Sequence, residues 1–230
     1  ELWTSVSSRT TTGDSPTTKT QITNMAYDGT TLYVGANNYP NSPVSGWVLE
    51  YDPTTLAFIT NHPTALGHYC EGVFIRNGEF WTCYHDWPYV SRYSAAWVHL
   101  GDYPLPGAIS DQTNNLFQGG TWSGDYLYLV IHNNTTPTTY WCYLWDDGAE
   151  TFTLIESRNT PFTESLYCGQ GLNIDEPNGK MYFAQRNGLG DGNIVETTLV
   201  PPSTTNIGNG WPLLDSVHAC KTTGLQEIVL

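Results

Sequence analysis

The sequence has little charge, and positive charge is the scarcest of all. Its 230 residues hold eight Lys and Arg against 22 Asp and Glu, a formal net charge of -14, with charged residues at 13%. Charged residues usually make up about 25% of a globular chain. Eight scattered bases cannot neutralise a run of phosphates, so nucleic acid is not an expected partner. An anionic lipid surface would likewise find no basic patch. Long apolar runs are missing too, and nothing approaches the roughly 20 residues of a membrane-spanning helix, so no membrane insertion is expected. There is no P-loop, no dinucleotide-binding glycine fingerprint and no G-x-S-x-G turn carrying a nucleophile. The five cysteines, Cys70, Cys83, Cys142, Cys168 and Cys220, are odd in number and match no disulfide-scaffold spacing.

Neutral polar and aromatic residues fill the place of the missing charge. The chain has 31 Thr, 22 Gly, 14 Pro, 15 Tyr and 9 Trp. Thr favours strands, and Gly and Pro favour turns, so the composition predicts an all-β protein with a polar, aromatic-rich surface. The chain begins at Glu1 with neither Met nor a signal-peptide pattern, as a mature or excised product would. Scarce Lys, abundant Thr and the overlapping N-x-T triplets at Asn133 and Asn134 favour an extracellular or particle-borne setting, secreted or on a virion surface.

One unit recurs four times. It reads NMAYDGTTLYVG from Asn24, EGVFIRNGEFWTC from Glu71, QGGTWSGDYLYLV from Gln118 and QGLNIDEPNGKMYFA from Gln170. Each copy is a short apolar strand, a turn on Asp-Gly, Ser-Gly or Asn-Gly, and an alternating aromatic strand. The leading polar residues are 47 to 52 positions apart. A second hairpin follows in residues 46–60, 88–100 and 140–157, while NIVETTLV from Asn193 supplies a third strand to the fourth unit and the chain after it reads as irregular. A period near 50 with four strands is that of a β-propeller blade.

On DGTTLYVGANN and VLEYDPTTL the chain resembles β-propellers built from NHL- or YVTN-type repeats, over about residues 25–200. The resemblance implies architecture and leaves activity open, since propellers host many unrelated functions. GLQEIVL at 224–230 looks like another first strand led by Gln226, and ELWTSVSS resembles an aromatic partner strand. The expected fold is therefore a single domain over 1–230, a five-bladed propeller closed by N- and C-terminal strands. Four blades with extra terminal strands is the alternative. Five-bladed architectures of the tachylectin-like and olfactomedin-like kinds serve recognition.

Strand polarity would place Asn24, Glu71, Gln118, Gln170 and Gln226 in a ring at the channel mouth, where they tie first strands together or hold a ligand. One carboxylate among four amides is poor for calcium and suits a water or a monovalent ion better; no metal-binding residue and no cofactor is assigned. Glycoside hydrolysis needs two facing carboxylates, and no second acid converges on Glu71, so no catalytic residue is assigned. His68, Cys70, Cys83 and His85 occupy neighbouring rungs, as zinc ligands could. Core cysteines beside surface histidines are the favoured reading, and disulfides from Cys70 to Cys83 or to Cys168 stay open. GLGDGN at 188–193 reads as a turn.

Loops on the ring's side carry Tyr39, Trp87, Tyr140 and Trp141, with Trp87 the ring expected to be most exposed. An exposed aromatic beside amides and His suits the apolar face and hydroxyls of a sugar. The expected ligand-binding residues are Tyr39, Glu71, His85, Trp87, Gln118 and Gln170. The leading function is a non-enzymatic, lectin-like module that binds glycan or a cell-surface glycoconjugate. The alternatives are a structural protein of a virion, filament or matrix contacting copies of itself, then a glycoside-active enzyme.

Overall fold

The computed structural model describes residues 21–38, 43–64, 67–85, 87–107, 115–133, 139–160, 169–186, 192–199 and 218–221. They form four antiparallel four-stranded sheets, each in plain sequence order. Blade one is β1 (Gln21–Tyr27), β2 (Leu32–Asn37), β3 (Gly46–Tyr51) and β4 (Phe58–Pro63). Blade two is β5 (Cys70–Arg76), β6 (Glu79–Tyr84), β7 (Tyr89–Tyr93) and β8 (His99–Pro104). Blade three is β9 (Asn115–Ser123), β10 (Tyr126–Asn133), β11 (Thr139–Asp146) and β12 (Thr151–Asn159). Blade four is β13 (Gly169–Asp175), β14 (Lys180–Arg186), β15 (Gly192–Thr198) and β16 (His218–Lys221), with one 3-10 turn at Glu176–Asn178. None of the described helical segments is long and apolar enough to cross a membrane.

First strands β1, β5, β9 and β13 each meet the next, and β13 meets β1, so the four sheets stand around one axis as a β-propeller. The strands expected to make a fifth blade, with Gln226, lie outside the described residues, and the structure shows four blades. Residues 218–221, read from sequence as irregular, instead form β16, the outermost strand of blade four. HACK is too short to display the period-2 alternation by which a strand is recognised.

The hairpin turns follow their chemistry. Gly29, Gly78, Gly124 and Gly179 take φ of 98°, 76°, 55° and 63° in the four first hairpins, a region that costs glycine nothing. In the second hairpins the job falls to Asp. Asp52 Oδ1 accepts from Thr54 N and Thr55 N at 2.9 and 2.7 Å, and Asp146 Oδ1 from Gly148 N and Ala149 N at 2.8 and 2.9 Å. In these turns the positive φ falls to Leu56 and Glu150, at 55° and 51°, and not to a glycine. All of these turns lie at one end of the molecule, the lower end; first strands begin at the other.

The core lies between blades. Blades two and three share Phe74, Trp81, Cys83, Leu127, Leu129, Tyr143, Trp145 and Phe152, and blades three and four share Tyr128, Cys142, Leu172, Met181 and Phe183. At the lower end, Arg76 fastens blade two to blade three. Its guanidinium donates to both oxygens of Asp147 at 2.9 and 2.7 Å and to Asp125 at 2.7 Å, and it lies 5.2 Å over the Trp122 ring.

Candidate functional site

Each first strand carries one irregularity, and all four fall at the same place. Between Ile22 and Met25, β1 sets Thr23 and Asn24 against Gly35 alone. In β5 the residue that the strand register skips is Glu71, in β9 it is Gln118, and in β13 it is Gln170. A β-bulge of this kind re-aims the side chain of the extra residue and bends its strand. The four polar residues that lead the sequence repeat are thus the bulge residues, at the upper end of the strands nearest the axis. Asn24 is 8% exposed, Glu71 2% and Gln118 8%. The Gln170 side chain lies outside the described residues.

The bulges are tied to one another. Thr23 Oγ1 donates to Cys70 O at 3.4 Å, joining the bulges of blades one and two. Asn24 Nδ2 reaches across the axis to Gly120 O in β9 at 3.5 Å. Through Thr23 and Asn24 these contacts link β1 to β5 and to β9.

Glu71 is the most connected member. Asn37, the last residue of β2, donates from Nδ2 to Glu71 Oε1 at 3.0 Å and to Cys70 O at 3.0 Å. His85, one residue beyond β6, brings Nδ1 to 3.4 Å from the same Oε1. The β5–β6 register makes this meeting necessary, because Cys70 pairs with Tyr84 at the end of the hairpin and His85 N donates to Tyr69 O at 2.9 Å. Asn37 was not among the sequence candidates. Its signal was its place, at the exit of an alternating strand that faces the next blade.

A group of aromatic rings lies where the chain enters β5 and leaves β6. Trp87 stacks on His68 at 4.8 Å and 5°, and on Tyr89 at 4.2 Å and 23°, while Tyr84 meets it edge-on at 5.8 Å. Trp87 is therefore half-buried among protein rings and not the exposed platform expected from the sequence. Tyr140 and Trp141 are more buried still, at 5% and 8%: they lie inside β11, Tyr140 against Phe183 at 5.2 Å. Tyr39 lies outside the described residues. The structure thus brings together Asn24, Glu71, His85, Trp87 and Gln118 at one end of the propeller.

No disulfide joins Cys70 to Cys83 on blade two: both are free thiols, wholly buried. Burial pushes Cys70 up to about 12 and Cys83 well above the usual thiol value. No cluster of three metal-binding side chains occurs among the described residues. The sequence segment 188–191 of GLGDGN lies outside them.

Two further arrangements bear on catalysis. Ser91, Asp102 and His99 meet: Ser91 Oγ donates to Asp102 Oδ1 at 2.6 Å, and His99 Nε2 lies 2.8 Å from that same oxygen. The order is wrong for a nucleophile, because Asp102 stands between serine and imidazole, and Ser91 is 0% exposed. Asp28 and Asp175 sit in the lower turns, where Asp28 accepts from Thr30 N and Thr31 N at 2.7 Å each. Among the described residues, Glu71 is the only acid at the start of a first strand, so the carboxylate pair of a glycosidase is not assembled from them.

No protein-family profile and no curated protein sequence matches the chain. Its similarities are to solved propeller structures. A Myxococcus xanthus glutaminyl cyclase superposes with a TM-score of 0.51 at 10% identity, over 77% of this chain and 65% of that one. A putative 6-phosphogluconolactonase from Bacteroides uniformis gives 0.51 at 11%, over 87% of this chain and 58% of that one. Kuenenia stuttgartiensis hydrazine synthase gives 0.50 at 12%, over 86% and 48%. The chain thus spans between about half and two thirds of these structures. Likeness at this identity is likeness of fold.

Proposed function

We propose that the protein is a non-enzymatic recognition module, extracellular or particle-borne, whose upper end binds the hydroxyl-rich surface of a glycan or glycoconjugate. One observation carries this reading: the start of β5 and the segment before it gather the Glu71 carboxylate, which accepts from Asn37 and lies 3.4 Å from His85 Nδ1, and the His68 ring, which stacks on Trp87. Carboxylate, amide and imidazole are the planar polar groups that hydroxyls pair with. The rings offer an apolar surface for the C–H face of a sugar. A buried acid with fixed partners and no opposing carboxylate suits holding better than hydrolysis.

The test is a glycan array, followed by titration of any binder against Glu71→Gln and His85→Ala. Weakening of about tenfold or more in both, with melting temperature unchanged, supports the reading. An array without a binder, or a binder indifferent to both changes, overturns it.

A second reading, a self-assembling structural protein, is favoured by exposed apolar residues on outer strands. Ile59 in β4 is 53% exposed, Leu100 in β8 is 46% exposed, and Val98 just before β8 is 59% exposed. Concentration-dependent sedimentation of the pure protein decides for it. The five-blade count also remains a proposal. The face of blade one turned from blade two buries Leu32, Val34, Trp47, Leu49 and Tyr51, and no described residue of blade four joins that cluster, as a further blade at that position would require.

A further inference from the structure

Large apolar side chains reach solvent at six described positions, and four of them gather where the glycan reading has no use for them. Tyr27 is 57% exposed, Ile59 53%, Val98 59% and Leu100 46%. Tyr27 ends β1, Ile59 and Leu100 stand second in β4 and β8, and Val98 comes just before β8. All four therefore belong to the lower end of blades one and two. Ile59 and Leu100 are also the residues that the outer-strand registers skip, between Phe58 and Thr60 and between His99 and Gly101. A bulge re-aims the side chain it inserts. Here each bulge carries an apolar side chain on a sheet edge, where charge is the usual protection.

Trp97 joins the two blades into one surface there. Its ring stacks on Phe80 at 4.1 Å and on His62 of β4 at 4.3 Å, and its Nε1 donates to Glu50 Oε1 of β3 at 3.0 Å. Trp97 holds φ of 59°, a conformation that a bulky residue keeps only where its surroundings dictate it. The turn that displays Val98 is thus set against blade one in advance, and a partner does not have to order it. The charge nearby selects that partner. The lower turns expose Asp125, Asp147 and Glu150, with side chains at 65%, 59% and 56%. The cations described at this end, Arg76, Arg92 and Lys180, already face carboxylates. A second copy would bring another net charge of -14 to the contact, and like charges across an interface cost affinity. Lys or Arg set among apolar residues would meet both features at once.

We propose that the lower rim of blades one and two docks a basic, apolar segment of a partner protein, with Ile59, Val98 and Leu100 as its apolar contacts. This surface lies at the opposite end from Glu71, so its fate is separate from that of the glycan reading. The probe is a fluorescent peptide that alternates lysine with valine, titrated by anisotropy beside lysine–serine and glutamate–valine peptides. The lysine–valine peptide should bind saturably, about tenfold or more tighter than either control, and more weakly as salt rises. Val98→Ser combined with Leu100→Ser, and Ile59→Ser alone, should each weaken it about fivefold or more at unchanged melting temperature. Ile194→Ser, on blade four, should leave it unaltered. If either variant fails to fold, hydrogen exchange on the wild-type protein decides: the peptide should slow amides of β4 and β8 and leave those of β13 as they were. No saturable binding, equal binding of the three peptides, or binding that ignores both changes overturns the proposal. Self-association that the same changes abolish, with no peptide bound, assigns the surface to a second copy and overturns it as well.

Discussion

Arg76 shows how a single residue can hold two blades, and why its loss and the loss of its partners are unequal. The guanidinium side chain is 6% exposed, while Asp125 and Asp147 are 65% and 59% exposed. Removing Arg76 leaves acids that water can solvate; removing both acids leaves a buried cation unpaired, the costlier outcome. Arg76 and the Trp145 indole N–H hold the Asp147 carboxyl at about 2, below its ordinary 3.8. A depressed carboxylate contributes stability above its unfolded value and loses it as pH falls through the folded one. The stability gap between wild type and Asp147→Asn should therefore be full above about pH 5 and be lost as pH falls through about 2. Asp147 is well solvated, so the gap should be no more than about 1 kcal/mol. Urea unfolding at pH 5 and pH 2 measures it, and a gap at pH 2 as large as at pH 5 contradicts the assignment. Two tryptophans make a second comparison. Trp145, 2% exposed and set against Trp81, Tyr103 and Phe152, should cost about 3–5 kcal/mol on truncation to Ala. Half-buried Trp87 should cost about 1–2 kcal/mol, the worth of its ring pairs. Equal costs by chemical denaturation would place Trp87 in the core and weaken its part in the site.

At the scale of the element, the meeting of β3 with the segment before β5 positions Glu71. A Cβ on Gly46 would lie 2.6 Å from His68 O, 2.7 Å from Cys70 N and 2.8 Å from Cys70 Cβ. Two of these are backbone atoms that cannot swing aside. Gly46→Ala should therefore cost about 1–3 kcal/mol by overpacking, and it should shift the His85 ring resonances, because the displaced strand carries its partner. NMR of the variant checks this; unchanged His85 resonances would show that the approach is slack. The hairpins around these strands were legible in the sequence because Asp28-Gly29, Asn77-Gly78, Ser123-Gly124 and Asn178-Gly179 announce turns by chemistry. The leading residues Asn24, Glu71, Gln118 and Gln170 were legible as a repeat, but their bulges were not. One extra residue at a strand's start leaves the alternation after it intact, so the apolar pattern hides the slip. A signal did exist: Glu71-Gly72, Gln118-Gly119 and Gln170-Gly171 each put glycine after the polar residue, and Gly119 takes φ of 141°. The burial of Trp87 was out of reach, since His68 and Tyr89 meet it only once β5 and β7 flank β6.

For the whole molecule, a ring of sheets that each touch only their neighbours should loosen unevenly, where the interface between blades is thinnest. Among the described residues, the interface of blades two and three has the largest buried cluster, 13 residues, including Trp81, Leu127, Leu129 and Tyr143 at 0% exposure. Arg76 fastens the same interface, and Arg92 adds an ion pair to Glu150 of blade three at 3.1 Å. The interface of blades three and four has eight buried residues and that of blades one and two six, but among the described residues no buried cluster joins blade four to blade one. Blade four presents Ile194 at 54% exposure and an ion pair, Lys180 to Glu196, whose side chains are 41% and 36% exposed. Exposed pairs of that kind hold little. Hydrogen exchange followed by mass spectrometry should therefore find the slowest amides in β6, β10 and β11, which exchange only on global unfolding. Amides of β15 should exchange faster by about tenfold or more, through local opening of blade four. Uniform protection across all four blades would show instead that the ring opens as one unit, with the thin interface as cooperative as the thick one.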